Sequence, residues 1–125
     1  MPKKILIVED NEKNRVLIRD VLKYYGYEVI EAVNGEEGIK AAKEKTPDLI
    51  LMDIQMPVMD GFAAMQALKR DPATKDIKII ALTSFAMKGD KEKIMDAGFD
   101  YYIAKPVDTR ELPRMIQGVL KWNKP

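Results

Sequence analysis

The sequence predicts an α/β domain in which helices cover both faces of a five-stranded parallel sheet. Strand and helix patterns alternate five times along the 125 residues, and no linker-like stretch interrupts them. Most strand candidates are near-continuous apolar runs, which is typical of strands buried on both faces of a parallel sheet. The helix patterns between them supply the crossovers that parallel strands require. The length fits a single domain, which we expect to span residues 1–125.

The five strands are predicted from short apolar runs. In the second run Val29 lies between charged positions, Glu28 and Glu31, a pattern that indicates an edge or half-exposed strand. The predicted strands span residues 4–8, 28–32, 49–53, 77–83 and 101–104.

The helices are predicted from apolar periodicity and from the residues at their ends. Asn11 suits the N-terminal cap of the first helix and Gly26 its C-terminal end. Asp60 caps the third helix, and Thr46-Pro47 ends the second. The predicted helices span residues 11–25, 34–45, 60–70, 88–97 and 108 onwards.

Two helices have residue patterns that predict their buried faces. In the first we expect burial of Leu17, Ile18, Val21 and Leu22. The apolar stripe of the last helix consists of Leu112, Met115, Ile116, Val119 and Leu120. Asp108 and Glu111 have capping-box spacing at its start. Pro113 falls in its first turns and lacks a backbone donor, which favours a shifted start or a bend.

The composition excludes several classes of site. Without histidine or cysteine the chain has no Ser-His triad, no imidazole or thiolate metal ligand and no disulfide. The absence of cysteine fits a reducing compartment, and we expect a cytoplasmic protein. A net charge of +1, with acids and bases interspersed, gives no basic patch that would predict binding to nucleic acid or to an anionic membrane.

The strand pattern also predicts where a site lies. Right-handed crossovers leave few topologies for five βα units, of which the flavodoxin-like order 2-1-3-4-5 is common. Ligands of such sheets bind at the carboxyl ends of the strands, near the switch point between strands one and three. The polar residues at or just past the ends of strands one, three, four and five are Asp10, Asp53, Thr83 and Lys105.

The residue types at this edge predict phosphoryl chemistry. Convergence of Glu9, Asp10 and Asp53 is costly unless a cation lies among them. Carboxylates alone favour Mg²⁺ or Mn²⁺, and Mg²⁺ sites are usually completed by phosphate. Lys105 and Thr83 supply a charge and a hydroxyl donor suited to phosphoryl oxygens. An aspartate beside the cation is a plausible nucleophile towards phosphorus.

Short motifs along the chain carry a family resemblance. They are Glu9-Asp10-Asn11, Met52-Asp53-Ile54-Gln55-Met56-Pro57, Met59-Asp60-Gly61, Ala81-Leu82-Thr83 and Lys105-Pro106. In this order they resemble the receiver domain of bacterial two-component response regulators, and the resemblance covers the whole chain. The stretch Phe85-Ala86-Met87-Lys88-Gly89-Asp90 resembles stand-alone receivers that control division and polarity, and also receivers of hybrid histidine kinases.

The resemblance implies a phosphoacceptor and a metal site. Asp53 would accept a phosphoryl group from a histidine of a sensor histidine kinase or a histidine phosphotransfer protein. Asp10, Asp53 and the backbone carbonyl of Gln55 would bind Mg²⁺, with Mn²⁺ able to substitute, and Glu9 would act largely through a metal-bound water. Self-catalysed phosphotransfer and slow autodephosphorylation are implied, and the chain would not be an enzyme acting on a separate substrate.

The resemblance also implies a conformational output. Thr83 and Lys105 would hold the phosphoryl oxygens, Tyr102 would occupy the aromatic switch position, and the Lys105-Pro106 peptide bond would be cis. Phosphorylation would draw Thr83 inward, admit Tyr102 to the vacated space and change the face of helix four, strand five and helix five. Phe85 would flank the site and shield the phosphoryl group from water.

We expect the protein to be a single-domain response regulator. The residues after the last predicted helix leave no room for a DNA-binding or catalytic output domain, so a downstream protein target is expected. We expect a monomer and leave dimerisation on activation open. The alternative within the family is a receiver module excised from a hybrid histidine kinase.

Two other classes of function are alternatives to this interpretation. A flavodoxin-like module binding flavin phosphate or a nucleotide would need glycines and backbone donors, where this chain has the acidic loop 9–12. A phosphatase using Asp53 would commonly have a second acid two residues on, where this chain has Gln55.

Overall fold

Strands and helices alternate throughout the described part of the chain. The structure is a computed structural model, and it describes residues 2–56, 59–84 and 88–122. The strands are β1 (Lys4–Val8), β2 (Glu28–Ala32), β3 (Leu49–Asp53), β4 (Lys78–Thr83) and β5 (Tyr101–Ala104). The helices are α1 (Glu12–Tyr24), α2 (Gly35–Lys45), α3 (Gly61–Arg70), α4 (Lys88–Ala97) and α5 (Leu112–Lys121).

The strands form one sheet in the order β2-β1-β3-β4-β5, and every neighbouring pair is parallel. This confirms the predicted fold class and strand order. β2 lies at an edge, as its alternating pattern predicted, whereas all five residues of β3 are buried. β1 and β3 are therefore neighbours, and both end at the same edge of the sheet.

Alternation of side chains along the strands divides the core between two faces. On one face Ile7 and Leu51 belong to a buried cluster with residues of α1 and α5. On the other face Val8 and Met52 belong to a cluster with residues of α2, α3 and α4. The prediction of helices on both faces is confirmed, since burial of both sheet faces requires that arrangement.

Side-chain caps fix the starts of three helices. The Asn11 Oδ1 accepts a hydrogen bond from the Asn14 backbone N–H at 3.0 Å. Asn34 caps α2 and Asp60 caps α3 in the same way, each at 2.9 Å. Each bond satisfies a first-turn N–H that has no partner within its helix. The predicted helix starts at Asn11, Asn34 and Asp60 are confirmed.

The burial prediction for α1 was wrong at one position. Ile18 and Leu22 are buried, but Leu17 is 44% exposed. Ile18 and Leu22 are four residues apart and share the face that packs on the sheet, whereas Leu17 is rotated about 100° from Ile18 on a helix of 3.6 residues per turn. It lies instead beside Tyr24 on an outer groove.

The predicted start of α5 was also wrong. The helix begins at Leu112 instead of Asp108, and Glu111 at its N-cap makes no side-chain capping bond. A helix starting at 108 would need a backbone donor at Pro113, whereas a start at Leu112 puts proline in the first turn, where no donor is needed. The Asp108 carbonyl accepts from the Glu111 and Leu112 N–H groups in a preceding turn.

One strand start differs slightly from its prediction, and the glycine after α1 matches its predicted role. β4 begins one residue later than predicted, at Lys78. Gly26 after α1 has φ +89°, the left-handed conformation that suits glycine at a helix end. Among the described residues, no helix has the length and apolar character needed to cross a bilayer.

Candidate functional site

Main-chain hydrogen bonds hold together the loops that follow β1, β3 and β5. The Glu9 N–H donates to the Ala32 carbonyl at 3.1 Å, and the Ile54 N–H donates to the Leu82 carbonyl at 3.2 Å. The Lys105 N–H donates to the Thr83 carbonyl at 2.7 Å. These bonds continue the sheet ladder past the strand ends and fix the backbone of the first residues after the strands.

Three carboxylates converge at this edge. One oxygen each from Glu9, Asp10 and Asp53 lie within 4.8 Å of one another. Glu9 is 0% exposed and Asp53 is 2% exposed, whereas Asp10 is exposed to solvent. Oxygen donors of this number and charge fit a hard divalent cation such as Mg²⁺, with room on the open side for water or another ligand.

Lys105 lies against the two buried acids. Its Nζ is 2.9 Å from Asp53 Oδ2 and 3.1 Å from Glu9 Oε1. Burial lowers the pKa of the Lys105 ammonium, but the hydrogen bond and charge of Asp53, together with Glu9, outweigh that effect and leave the pKa above its ordinary value. The lysine therefore stays charged beside the carboxylates.

The Glu9 carboxyl titrates unusually high. Its pKa is raised to about 7, chiefly by burial and also by the hydrogen bond and charge of Asp53, while Asn14 and Lys105 oppose the shift. A buried carboxyl next to another acid holds its proton because the charged form is poorly solvated and repelled. A bound cation would reverse this effect by stabilising the carboxylate.

The backbone around Asp53 is fixed by close packing. The Gln55 N–H donates to Asp53 Oδ1 at 2.9 Å, and the Gly61 N–H donates to the Ile54 carbonyl. A Cβ on Gly61 would lie 2.5 Å from the Asp53 carbonyl oxygen and 2.6 Å from the Ile54 Cα. Only glycine lets α3 start this close to the acid. Pro57, from the same motif, lies outside the described residues.

Thr83 and Tyr102 lie on neighbouring strands of the same sheet. Thr83 is fully buried at the end of β4 and pairs with Ala104, the residue before Lys105. Tyr102 is half-buried on β5, and its ring stacks on Tyr101 with centroids 5.4 Å apart. The Lys91 Nζ is 5.4 Å from the centre of the Tyr102 ring. Tyr102 also packs against the buried core cluster, so its ring is only partly exposed in this structure.

The structure thus brings most of the predicted residues to one edge. Glu9, Asp10, Asp53 and Lys105 form one cluster, and Thr83 ends the adjacent strand. The Lys105-Pro106 peptide bond is cis, the configuration that the resemblance implies. Phe85, which was expected to flank the site, lies outside the described residues.

Two contacts on α1 were not predicted from the sequence. The Asn14 Nδ2 donates to Glu9 Oε1 at 2.9 Å, and the Arg15 Nη1 donates to the Glu9 carbonyl at 3.0 Å. An amide in the first turn of a helix that follows an acidic strand end is a weak signal for such a contact. Side chains there lean towards the preceding loop.

Comparison with known proteins gives consistent matches over nearly the full chain. The family model described as response regulator receiver domain matches residues 5–117. The polar-differentiation response regulator DivK of Brucella anthropi is 47% identical over 119 residues, which are 95% of this chain and 94% of that protein.

Solved structures give the same picture. The receiver domain of sensor histidine kinase PA1611 from Pseudomonas aeruginosa, which has a magnesium ion coordinated in its active site cleft, aligns with a TM-score of 0.89 and 35% identity. The alignment covers 98% of this chain and 100% of that one. The chemotaxis response regulator CheY4 of Vibrio cholerae aligns with a TM-score of 0.90 and 29% identity, covering 95% of this chain and 99% of that one.

Proposed function

Because the chain belongs to the response regulator receiver domain family, we propose that Asp53 accepts a phosphoryl group from a phosphohistidine of a partner protein. The partner would be a sensor histidine kinase or a histidine phosphotransfer protein. The observation that carries this proposal is the buried Asp53 carboxylate, which lies 2.9 Å from the Lys105 ammonium and within the cluster of three acids.

The cluster would hold a divalent cation during this reaction. Glu9, Asp10, Asp53 and the backbone carbonyl of Gln55 are the proposed holders, with Glu9 acting largely through a water. Mg²⁺ is the proposed ion and Mn²⁺ its substitute, since both prefer oxygen ligands. When bound, the ion offsets the negative charge of the carboxylates and of the incoming phosphoryl oxygens.

The transfer itself needs no other acid or base on this chain. An Asp53 oxygen forms a bond to phosphorus while the bond between phosphorus and the donor imidazole nitrogen breaks. The imidazole leaves with the bonding electron pair and takes a proton from solvent. Lys105 and Thr83 hold the transferred oxygens, which places the group and neutralises its charge. Slow loss of the phosphoryl group to water returns Asp53 to its free form.

Phosphorylation is proposed to change the face formed by α4, β5 and α5. Thr83 turns towards the phosphoryl group, and Tyr102 leaves its contacts with Tyr101 and Lys91 for the vacated space. The thin packing of α4 supports this proposal, since Ile94 is buried whereas Met95 is 41% exposed. A nearly complete switch needs about 5.5 kcal/mol of differential interaction, for which a doubly charged group beside Lys105 is a reasonable source.

The biological role is proposed from the same family membership. We propose that residues 1–125 act as a single receiver unit that delivers its signal to a downstream protein. The 47% identity to a polar-differentiation response regulator supports a role in polar differentiation. A site that binds the phosphate of a flavin or nucleotide would need glycines and backbone donors. This chain has an acidic cluster in that place, which argues against the binding-module alternative.

Intact-mass analysis after incubation with acetyl phosphate tests the proposed reaction. The parent should gain one phosphoryl group in the presence of Mg²⁺ and none in EDTA. Asp53→Asn should gain none under either condition. The matched control is Asp60→Asn, which changes an exposed aspartate nearby and keeps a residue that caps helices equally well. Uptake by Asp53→Asn equal to that of the parent would assign the acceptor to another residue.

A further inference from the structure

We propose that Asn14 is a positioning residue that orients the Glu9 carboxylate within the cation site. The inference rests on the proposed function, because it assigns a role to Asn14 only if the acidic cluster holds a cation. Its basis is the hydrogen bond from Asn14 Nδ2 to Glu9 Oε1, at 2.9 Å.

The fold places Asn14 for this contact through the cap of α1. The Asn14 backbone N–H donates to the Asn11 side chain at 3.0 Å, so Asn14 lies in the first turn of the helix. Arg15 holds the Glu9 carbonyl at 3.0 Å and pairs with Glu31 at 3.1 Å. The first turn of α1 thus fixes both the main chain and the side chain of Glu9.

Burial makes this contact matter. Glu9 is 0% exposed, so solvent cannot orient its carboxylate. In the structure its oxygens also contact the Lys105 Nζ, at 3.1 Å for Oε1 and 3.4 Å for Oε2. The proposed function turns Lys105 towards the phosphoryl oxygens. Once the lysine turns away, the Asn14 amide still donates to Oε1, and Asp53 remains beside the Glu9 carboxyl within the acid cluster.

The chemistry of the donor suits this role. An amide is neutral, so it can fix a carboxylate without cancelling the charge that attracts a cation. A lysine or arginine at the same position would compete with the cation for the carboxylate. Partners that orient metal-binding groups typically contribute 10- to 100-fold to metal affinity.

The test is Mg²⁺ binding by the full chain, measured by isothermal titration calorimetry at constant pH. Asn14→Leu keeps a side chain of similar size without a donor, and we expect it to raise the Kd for Mg²⁺ about tenfold. Asn14→Ala removes the donor and introduces a better helix-forming residue. It should therefore show the same loss of Mg²⁺ affinity without weakening α1. In a Glu9→Ala background we expect Asn14→Leu to change the Kd by less than about twofold, because the residue it positions is gone.

The outcomes separate this inference from the proposed function. A Kd unchanged in both Asn14 variants overturns the inference, as does an equal loss in the Glu9→Ala background. Either result leaves the proposed function standing if the parent binds Mg²⁺ and Asp53→Asn weakens that binding. A parent that does not bind Mg²⁺ contradicts both.

Discussion

Lys105 offsets part of the charge that the acids bring to the site. Its ammonium contacts Asp53 and Glu9, which are both buried, while Asp10 remains in solvent. Leaving either buried carboxylate unpaired would be costly in a region of low dielectric. Even with Glu9 partly protonated, one lysine does not balance the acids of the cluster, and the remaining negative charge favours a divalent cation.

Mg²⁺ affinity should depend on pH because of Glu9. Glu9 holds a proton below about pH 7 in the metal-free protein, and a cation bound in the cluster favours the carboxylate, so binding should release that proton. We expect the Kd for Mg²⁺ to rise as pH falls from 8 to 6, by up to about tenfold per unit below the pKa. Calorimetric titrations across this range measure the effect, and Glu9→Gln should weaken binding and flatten the dependence. An equally steep profile in Glu9→Gln would assign the proton to another group.

The same residue should affect the stability of the metal-free protein. The folded protein keeps the Glu9 proton between pH 4.5, the ordinary value of the pKa, and about pH 7. The folded state binds more protons than the unfolded state in this window, so raising the pH lowers the free energy of unfolding. The contribution of Glu9 is fully present below pH 4.5 and is lost as pH rises through about 7.

Packing between α3 and β3 limits what residue 61 can be. A methyl group on Gly61 would overlap main-chain atoms of Asp53 and Ile54, which cannot rotate away. We expect Gly61→Ala to lower the free energy of unfolding by about 1–3 kcal/mol. It should also slow phosphoryl uptake by about tenfold or more, because small displacements of a reacting group cost rate. Urea unfolding and acetyl phosphate kinetics measure the two effects.

Gly118 offers a matched control for that substitution. It lies inside α5, and a Cβ there would meet no atom within 4 Å apart from its chain neighbours and the backbone of its own helix. Gly118→Ala should raise the free energy of unfolding by about 0.5–1 kcal/mol, since alanine loses less backbone entropy in a helix. It should leave phosphoryl uptake unchanged. Similar losses in both variants would show that Gly61 has no special relation to Asp53.

A lysine on β4 holds the end of α5. The Lys78 Nζ donates to the carbonyls of Val119 and Leu120, at 2.6 and 3.3 Å, and to that of Trp122. The Val119 carbonyl also accepts from the Trp122 N–H at 3.2 Å, and the positive charge of the lysine is favourable at the negative end of the helix dipole. Lys78→Met should lower the free energy of unfolding by about 1–3 kcal/mol in urea titrations. Lys121→Met, at an exposed position on α5, should change it by less than about 0.5 kcal/mol.

Mg²⁺ should stabilise the whole domain by mass action. The cation site exists only when β1 and β3 are paired, so binding favours the folded state. At a Mg²⁺ concentration of 100 times the Kd we expect about 2.7 kcal/mol of added stability. Thermal unfolding with and without Mg²⁺ measures it, and Asp53→Asn should show a much smaller shift. A full shift in Asp53→Asn would indicate that the cation binds elsewhere.

The strand pattern was sufficient to predict the architecture because burial dictates it. Apolar runs such as 49–52 are fully buried only when helices cover both faces of the sheet. The predicted strand bounds agree with those of the structure to within one residue. Predictions failed where two local signals competed. At α5 the capping-box spacing at Asp108 conflicted with Pro113, and the missing donor of proline determined the start.

The site was predictable only to the level of which residues meet. Strand ends determine that Asp53 and Lys105 share an edge, because parallel strands end together. The sequence does not determine which acid a mobile lysine side chain contacts, nor that Asn14 reaches Glu9. Those contacts depend on rotamers and on the angle at which α1 leaves the sheet, which many residues set together.

The pairing of Glu9 with Lys105 joins positions 96 residues apart, which has a consequence for the protein during its synthesis. Ribosomes make Glu9, Asp10 and Asp53 well before they make the lysine that follows β5. At about 5–20 residues per second, the chain between Asp53 and Lys105 takes about 3–10 s to appear. A nascent chain of intermediate length therefore carries the acids without their lysine. We expect β1 and β3 to remain unpaired, or to bind cations from solution, until the last strand has left the ribosome.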